Sequence, residues 1–423
     1  MKNLTPRSLV LSVFFLLLLA VPVYWLVIGR QTDKKSLAED RRLDAFPLLE
    51  LNDFSRALKL SAVGNFKEAG ETFFNQFINR SFQRKYEGAA SDQFPLRFPG
   101  IVTVKAVERA QIWLAYALLP DRVIPTDMVS NLYVMRDGSM MLSSPFPYNE
   151  ESRRLIDDKI SFYKKLIAKN PDLRFYAFYA ERLENAPYNP LNNTFPGSDG
   201  GRNFKYFKSH LPEGLKLTTL AFKDFDEYKQ NNYRSDHHWN IYGALRAYDI
   251  IYDMLAEGYP QISERLDTSR TYTFPDIGFS GSFAGRTLYP IQPDEFSVAY
   301  VDLPPYQVFI DGSEVKVDAE ERYAAGNYRR AKYAHHYNNY FGTGRPGTLY
   351  EYVFDNNSPR NLLIIGNSFK WPIYPLLAYH YHQTWTVNLL EHENFQVNKF
   401  LQEHRVDDVL ILGDADAVFL PIH

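Results

Sequence analysis

Apolar and polar residues recur at two different spacings along this chain. Helical spacings occupy four segments from residue 150 onward: 150–169, 242–255, 372–382 and 394–404. Apolar runs of strand length occur in five segments: 173–179, 215–222, 361–365, 384–389 and 408–412. Because strands that alternate with helices pack into a sheet covered by helices, the pattern predicts an α/β domain with a mostly parallel sheet.

The part of the chain before this domain is predicted to be mostly helical. One helix begins at the capping pair Asn52-Asp53, and a further helix is expected over 104–119. Two apolar runs then flank Asp137-Gly138 within residues 131–142, which predicts a β-hairpin. We therefore divide the chain into a helical stem over residues 31–110 and a main α/β domain over residues 111–423.

Two stretches interrupt the main domain, near residues 186–214 and 268–350. The first is rich in Asn, Pro and Gly, and the second carries several glycines among many tyrosines. We expect both to be loop-rich insertions, since long loops inside compact domains often serve as lids or binding loops.

The N-terminus carries an apolar run from Leu9 to Ile28 without a charge, long enough to cross a bilayer. Tyr24 and Trp25 lie where aromatic residues mark a membrane interface, and the apolar run is longer than that of a cleaved signal peptide. We predict an uncleaved signal anchor over residues 1–30. This places the protein in the cell membrane as a single-pass protein with its main domain outside the cytoplasm.

Composition excludes several classes of protein. Of the 423 residues 45% are hydrophobic and 23% charged, which is typical of a folded globular protein. The net charge of −3 gives no basic surface for nucleic acid. There is no cysteine, which excludes disulfides and thiolate chemistry. The 30 Tyr and 31 Phe indicate an aromatic-rich core or rings that stack on sugars.

A small-residue turn follows the apolar strand 361–365 and contains Ser368. Ligands of open α/β sheets gather at the carboxyl ends of strands, where this turn lies. Gly366 permits a tight backbone there, and the N–H of Ser368, near a helix N-terminus, is a candidate donor to an oxyanion. Because serine is equally suited to capping the next helix, the turn alone leaves both roles open.

The segment Asp236-His237-His238 offers a base and a carboxylate. If residues 235–239 are extended and a helix begins near Asn240, Asp236 and His238 share one side and His237 faces away. Asp236 then orients the imidazole of His238, whose other nitrogen meets Ser368. These are the parts of a Ser-His-Asp acyl-transfer site. The alternative is a structural histidine beside a helix cap.

Metal binding is a rival use of the histidines, since histidine and carboxylate clusters bind zinc or manganese. It would draw on four residues: His237, His238, His335 and His336. Their spacing matches no metal motif, and a metal site leaves the serine turn unexplained. We therefore expect neither a metal nor another cofactor.

Several short motifs in a fixed order resemble the DHHW family of bacterial cell-surface proteins. They are Asp40–Pro47, Asp92–Arg97, Tyr233–Trp239, the serine turn and Asp407–Ile411. They follow the predicted anchor and extend over most of the chain. The family is similar to the SGNH-hydrolase-like proteins of alginate acetylation. The resemblance implies a three-layer SGNH-like α/β domain.

The resemblance also implies roles for individual residues. Ser368 is the nucleophile, His238 the general base and Asp236 the orienting carboxylate. Five further residues support the site or bind substrate: Arg234, His237, Trp239, Gly366 and Asn367. The turn of the family is commonly Gly-Asp-Ser, whereas this chain has Gly-Asn-Ser.

The activity that the resemblance implies is O-acetylation of an extracytoplasmic polysaccharide through an acyl-serine intermediate. A membrane-bound O-acyltransferase partner would supply the acyl groups. The residues themselves point no further than acyl transfer. A carbohydrate esterase, which transfers the acyl group to water, uses the same triad. A non-catalytic scaffold that binds glycan through its aromatic loops is the third hypothesis.

Overall fold

The computed structural model describes residues 97–118 and 124–420, together with 35–36, 41–42 and 92. Short gaps interrupt the second range, at 128–131, 136, 143–146, 191–198, 288–291, 332–333, 344–346, 348, 390 and 393. The chain divides into two compact units, Met1–Gln111 and Ile112–His423. The predicted anchor and nearly all of the predicted stem before Arg97 lie outside the described residues.

Three elements belong to the earlier part of the chain. Strands β1 (Lys35–Ser36) and β2 (Arg41–Arg42) pair in antiparallel fashion, and helix α1 occupies Arg97–Leu118. Helix α1 begins seven residues before the predicted start at 104. Its early start is possible because Pro99 lies in the first turn, where backbone N–H groups have no partner within the helix. The lack of an N–H in proline therefore breaks no hydrogen bond there. Among the helices of the described residues, none combines the length and apolar character that a membrane span requires.

The predicted hairpin is present. Strand β3 (Ile124–Asp127) pairs with β4 (Leu132–Val134), which pairs with β5 (Met140–Leu142), both in antiparallel fashion. In the turn between β4 and β5, the side chain of Asp137 accepts a hydrogen bond from the N–H of Ser139 at 3.0 Å.

From Glu150 onward, helices and strands alternate as α2 (Glu150–Lys169), β6 (Arg174–Ala180), α3 (Arg202–Ser209) and β7 (Leu215–Leu220). Two helices follow, α4 (Phe225–Asn231) and α5 (Ile241–Gly258). The middle contains β8 (Thr271–Phe279), α6 (Ser282–Thr287), β9 (Asp294–Ala299), β10 (Tyr306–Ile310), β11 (Ser313–Glu314), α7 (Ala319–Ala325), α8 (His336–Phe341) and β12 (Leu349–Phe354). The last part contains β13 (Asn361–Gly366), α9 (Tyr374–Ala378), β14 (Gln383–Val387), α10 (Val397–Glu403), β15 (Asp408–Gly413) and α11 (Ala415–Val418).

Eight of these strands form one sheet in the order β11-β10-β12-β14-β13-β15-β6-β7. The five strands from β14 to β7 are parallel to one another, and β12, β10 and β11 continue the sheet with antiparallel pairings. The predicted parallel α/β core is therefore present, within a mixed sheet.

Successive residues of β13 point to opposite faces of the sheet, as the strand period requires. Leu362 and Ile364 join a core that includes Ile251 of α5. Leu363 and Ile365 join a second core with residues of α2 and α10. Helices therefore cover both faces, which gives three layers and buries β13 completely.

The stretch 268–350 differs from its prediction as a loop-rich insertion. Its described residues contain four strands, β8 to β11, and lead into β12; β10, β11 and β12 extend the central sheet. The first strand, β8, contains Pro275 and Gly278 and shifts register against β9, so its sequence lacks a regular strand pattern. Helix α9 is also shorter than the predicted 372–382, because the chain turns after Ala378 to enter β14.

Candidate active site

The turn that carries Ser368 lies at the carboxyl end of β13, between the parallel strands β14 and β15. Strand β13 ends at Gly366, and a single turn of 3-10 helix occupies Ser368–Lys370. A Cβ on Gly366 would collide with the backbone carbonyl of Leu412 on the neighbouring strand β15. Glycine is therefore required at this position for the two strands to approach each other.

Asn367 holds the turn from both sides. Its side-chain oxygen accepts a hydrogen bond from the N–H of Phe369 at 3.3 Å, and its amide donates to Asp414 Oδ1 at 2.8 Å. The other oxygen of Asp414 accepts from Arg182 at 3.0 Å. Asn367 thus links the turn that carries Ser368 to the ends of β15 and β6.

A buried lysine lies beneath the same turn. The Nζ atom of Lys370 donates to the carbonyl oxygen of Gly366 at 2.5 Å and to that of Val387 at 3.4 Å. It thereby joins the carboxyl ends of β13 and β14. Burial lowers the pKa of Lys370 to about 7, against the opposing charge of Glu391.

The loop that carries the predicted acid and base is closed by a bridge between Asn232 and Trp239, and it is not the extended segment expected from the sequence. The N–H of Tyr233 donates to the carbonyl of His238, which tightens the loop. Asp236 and His238 meet because the side chain of Asp236 turns back to accept the N–H of His238 at 3.1 Å. The next helix, α5, begins after its cap Asn240, as predicted.

The structure brings Ser368, His238 and Asp236 into one chain of hydrogen bonds. The Oγ of Ser368 lies 2.7 Å from Nε2 of His238, and Nδ1 of the same ring lies 2.6 Å from Oδ1 of Asp236. Both Asp236 and His238 are 2% exposed. Since a carboxylate only accepts, Nδ1 carries the proton and Nε2 is free to accept one from the serine hydroxyl.

The environment of Asp236 keeps it ionised. Its Oδ2 accepts the N–H of Ser282 at 2.6 Å. Burial alone would raise the pKa of Asp236, but the neighbouring imidazoles of His237 and His238 and the hydrogen bond from His238 hold that pKa well below its usual range. An ionised carboxylate is what orients and stabilises an imidazole that takes up a proton.

His237 does not face away from this group, contrary to our prediction. Its ring centroid lies 3.9 Å from that of His238, and its Nδ1 lies 3.4 Å from Asp236 and 3.2 Å from the hydroxyl of Ser282. The closed loop causes the difference, because its backbone does not alternate sides. The side chain of His237 is 27% exposed, and desolvation together with the facing His238 lowers its pKa well below the usual value.

Trp239 and Arg234, two of the residues predicted to support the site, make different contacts. The buried indole of Trp239 packs edge-on against Phe369, with ring centroids 5.2 Å apart. Arg234 lies on the other side of the loop, where its Nε donates to Asp294 at 3.1 Å. Asp294 also accepts from the N–H and the hydroxyl of Ser235, so the Arg234–Asp294 pair anchors the loop.

Two further parts of the site were not predicted as such. A Cβ on Gly281 would lie 2.6 Å from Oδ2 of Asp236, so only glycine fits beside the carboxylate. Tyr337 stacks on the ring of His238, with centroids 4.0 Å apart and planes 16° apart. Both come from the stretch 268–350. Its glycines and tyrosines were visible in the sequence, but no spacing rule connects them to residues 236–238.

Within the described part of the chain, one cluster has the donor types of a metal site: Asp236, His237 and His238, whose ligand atoms lie within 4.8 Å of one another. Both oxygens of Asp236 and both ring nitrogens of His238 are already engaged by protein partners. His336, named in the rival metal hypothesis, instead contacts the hydroxyl of Tyr323 through Nδ1 at 2.6 Å. The arrangement therefore suits a hydrogen-bonded triad better than a metal centre.

No family model and no curated protein matches this chain, but solved structures do. Bacillus cereus PatB1 with a sulfonyl adduct matches at 14% identity and a TM-score of 0.54, covering 69% of this chain and 96% of that one. A DHHW family protein from Eubacterium siraeum matches at 16% identity and a TM-score of 0.50, covering 70% and 95%. The predicted resemblance is confirmed at the level of the fold: this chain has the fold of PatB1 and of that DHHW family protein.

Proposed function

We propose that this protein is an acyltransferase that uses Ser368 as its nucleophile, His238 as general base and Asp236 as the carboxylate that orients the base. One observation carries the proposal: Oγ of Ser368 lies 2.7 Å from Nε2 of His238, whose Nδ1 lies 2.6 Å from Asp236. A hydroxyl becomes a useful nucleophile at neutral pH when a positioned base removes its proton. The site has this base and the group that fixes its tautomer.

The proposed reaction has two half-reactions with the same residues. In the first, Oγ of Ser368 attacks the carbonyl carbon of a donor ester, and its proton passes to Nε2 of His238. The bond from that carbon to the leaving oxygen then breaks, and His238 returns the proton to the leaving oxygen. In the second, His238 takes the proton of an acceptor hydroxyl, which attacks the carbonyl carbon of the acyl-serine. The bond from that carbon to Oγ then breaks, and His238 returns the proton to Oγ, which leaves Ser368 as the free alcohol.

We further propose that the acyl group is acetyl and that its acceptor is a hydroxyl of a cell-surface or exported polysaccharide. It is supported by the motifs that resemble the DHHW family and by the fold shared with a protein of that family. The predicted N-terminal anchor would hold the site outside the cytoplasm at the membrane. There a membrane-bound O-acyltransferase partner would deliver the acyl group.

The experiment that tests this function separates transfer from hydrolysis. The full-length protein is incubated with 4-nitrophenyl acetate and neutral oligosaccharides, and the products are resolved by mass spectrometry. We expect acetylated sugar to exceed free acetate as the acceptor concentration rises. Release of acetate alone at every acceptor concentration would identify an esterase.

A serine variant with a matched control completes the test. Ser368→Ala should abolish both products, whereas Ser209→Ala, which removes an exposed hydroxyl at the end of α3, should change neither. If Ser368→Ala still acetylates the sugar at the wild-type rate, the hydroxyl is not the nucleophile. Sugar binding without any turnover of the wild-type protein would favour a glycan-binding scaffold.

A further inference from the structure

A tyrosine from a third region of the chain touches both the base and the nucleophile residue. Tyr337 lies in α8, and its side chain is fully buried. Its ring is nearly parallel to that of His238, with planes 16° apart and centroids 4.0 Å apart. Its hydroxyl donates to the backbone carbonyl of Ser368 at 3.1 Å. One side chain therefore contacts both members of the serine–histidine pair.

The stack restricts a motion of His238 that its two hydrogen bonds leave open. Asp236 and Ser368 bind the two ring nitrogens, so they fix the ring within its plane. Neither prevents the plane from tilting about the line between those nitrogens. The flat contact with Tyr337 opposes this tilt, and Phe369 packs against the imidazole at a steeper angle of 50°.

The hydroxyl of Tyr337 contacts Ser368, the hydrogen-bond partner of His238. The carbonyl oxygen of Ser368 also accepts the N–H of Trp371 at 3.2 Å, which is a bond within the turn itself. Tyr337 adds a donor from outside the turn. Because this oxygen belongs to Ser368, holding it restricts rotation of the backbone from which Oγ projects. Burial raises the pKa of Tyr337 well above the usual value, so its hydroxyl keeps the proton that it donates.

We propose that Tyr337 is a positioning residue for the reaction, which keeps the imidazole of His238 and the backbone of Ser368 in reacting geometry. The role rests on the proposed function of those two residues, through which Tyr337 acts. Its ring and its hydroxyl make separable contributions, one to the base and one to the nucleophile turn.

Two substitutions separate these contributions. Tyr337→Phe keeps the ring and removes the hydroxyl, whereas Tyr337→Leu removes both. We measure acetylation of Ser368 by 4-nitrophenyl acetate in the full-length protein. The Phe variant should acylate about fivefold more slowly, the effect of one hydrogen bond. The Leu variant should lose about a hundredfold, the scale set by misplaced reacting groups. The ester concentration that gives half-maximal rate should change less than twofold in both.

The matched control lies in the neighbouring helix α7. Tyr323 is 1% exposed, and its hydroxyl contacts His336. Tyr323→Phe therefore removes one buried hydrogen bond, and Tyr323→Leu removes that bond together with a buried ring, as the same substitutions do at Tyr337. Their folded fractions should acylate at the wild-type rate. If both Tyr337 variants also acylate at that rate, Tyr337 only packs the core and the proposal is wrong. Should the Leu variant not fold, Tyr337→Met replaces it as the test of the ring, and an unchanged rate in the Phe variant overturns the role of the hydroxyl.

A second measurement does not depend on turnover. The proton shared by Asp236 and Nδ1 of His238 is expected to give a low-field resonance in the nuclear magnetic resonance spectrum. It should persist in Tyr337→Phe and broaden or disappear in Tyr337→Leu, because the ring of His238 is free to tilt. A sharp resonance in the Leu variant would contradict the role of the ring. If the wild type shows this resonance but is never acylated, the proposed function fails while the positioning role is still tested.

Discussion

Nε2 of His238 lies 2.7 Å from Oγ of Ser368, although 130 residues separate the two in the chain. The contact is produced by the sheet, which presents the turn after β13, and by the closed loop before α5. Any change that moves one of these two elements should therefore affect catalysis without removing a reacting group.

Removal of either reacting group should give the same loss. We expect Ser368→Ala and His238→Ala each to lower kcat for 4-nitrophenyl acetate on the order of 10⁴-fold or more, since the two act as one unit. The double variant should be no slower than the slower single variant. Steady-state kinetics on the three proteins checks this. Losses that multiply in the double variant would show that the two side chains act independently.

Gly281→Ala should lower activity by displacing the carboxylate of Asp236. The added methyl group meets Oδ2 of Asp236 at 2.6 Å and must displace it. We expect kcat to fall about a hundredfold, because a small shift of the carboxylate misaligns His238. Gly100→Ala is the control, since its added methyl group meets nothing within 4 Å apart from its own helix and chain neighbours. Equal activities of the two alanine variants would mean that the site tolerates the displacement.

The asparagine of Gly-Asn-Ser should not be exchangeable for the aspartate that is common at this position in the family whose motifs the chain resembles. Asn367→Asp places a carboxylate 2.8 Å from Oδ1 of Asp414 in place of the donating amide. We expect the free energy of unfolding to fall by about 3 kcal/mol, the scale of an unpaired buried charge. Adding Asp414→Asn restores a donor opposite the new acid and should recover at least half of the loss. Urea denaturation of the single and double variants measures both effects. A stable Asn367→Asp variant would show that the amide is not needed.

Stability should depend on pH through Glu181. Burial raises the pKa of Glu181 to about 7, and Tyr188 donates to it at 2.6 Å. The folded state therefore binds a proton that the unfolded state releases near the usual pKa of 4.5. Stability from this group is largest below pH 4.5 and decreases as the pH rises towards 7. Glu181→Gln, which stays neutral, should raise Tm relative to the wild type at pH 8 and leave it unchanged at pH 4. A larger gain in Tm at pH 4 than at pH 8 would contradict a raised pKa of Glu181 in the folded state.

Much of the parallel core could be predicted from the sequence, because buried strands and the helices between them have regular apolar patterns. Helix α2 has the predicted bounds, and β13 and β15 each extend one residue further than predicted. The strands of 268–350 were missed, since tyrosines, glycines and a proline give them no regular alternation. The antiparallel end of the sheet depends on pairing between distant segments, which local patterns do not specify.

The site could be predicted only in part. The strand-to-helix turn and the Asp-x-His spacing identified Ser368, His238 and Asp236, which the structure brings into contact. The backbone path between Asp236 and His238 was predicted wrongly, because a side-chain turn replaces the extended segment. Tyr337 carries no local signal at all, since only tertiary packing brings its ring onto His238.

The most direct test is the identity of the residue that carries the acyl group. The wild-type protein is exposed briefly to 4-nitrophenyl acetate, quenched with acid, digested and analysed by tandem mass spectrometry. We expect one acetyl group on Ser368, absent from Ser368→Ala and from His238→Ala. Acetylation of wild-type protein at another residue, with Ser368 unmodified, would contradict it.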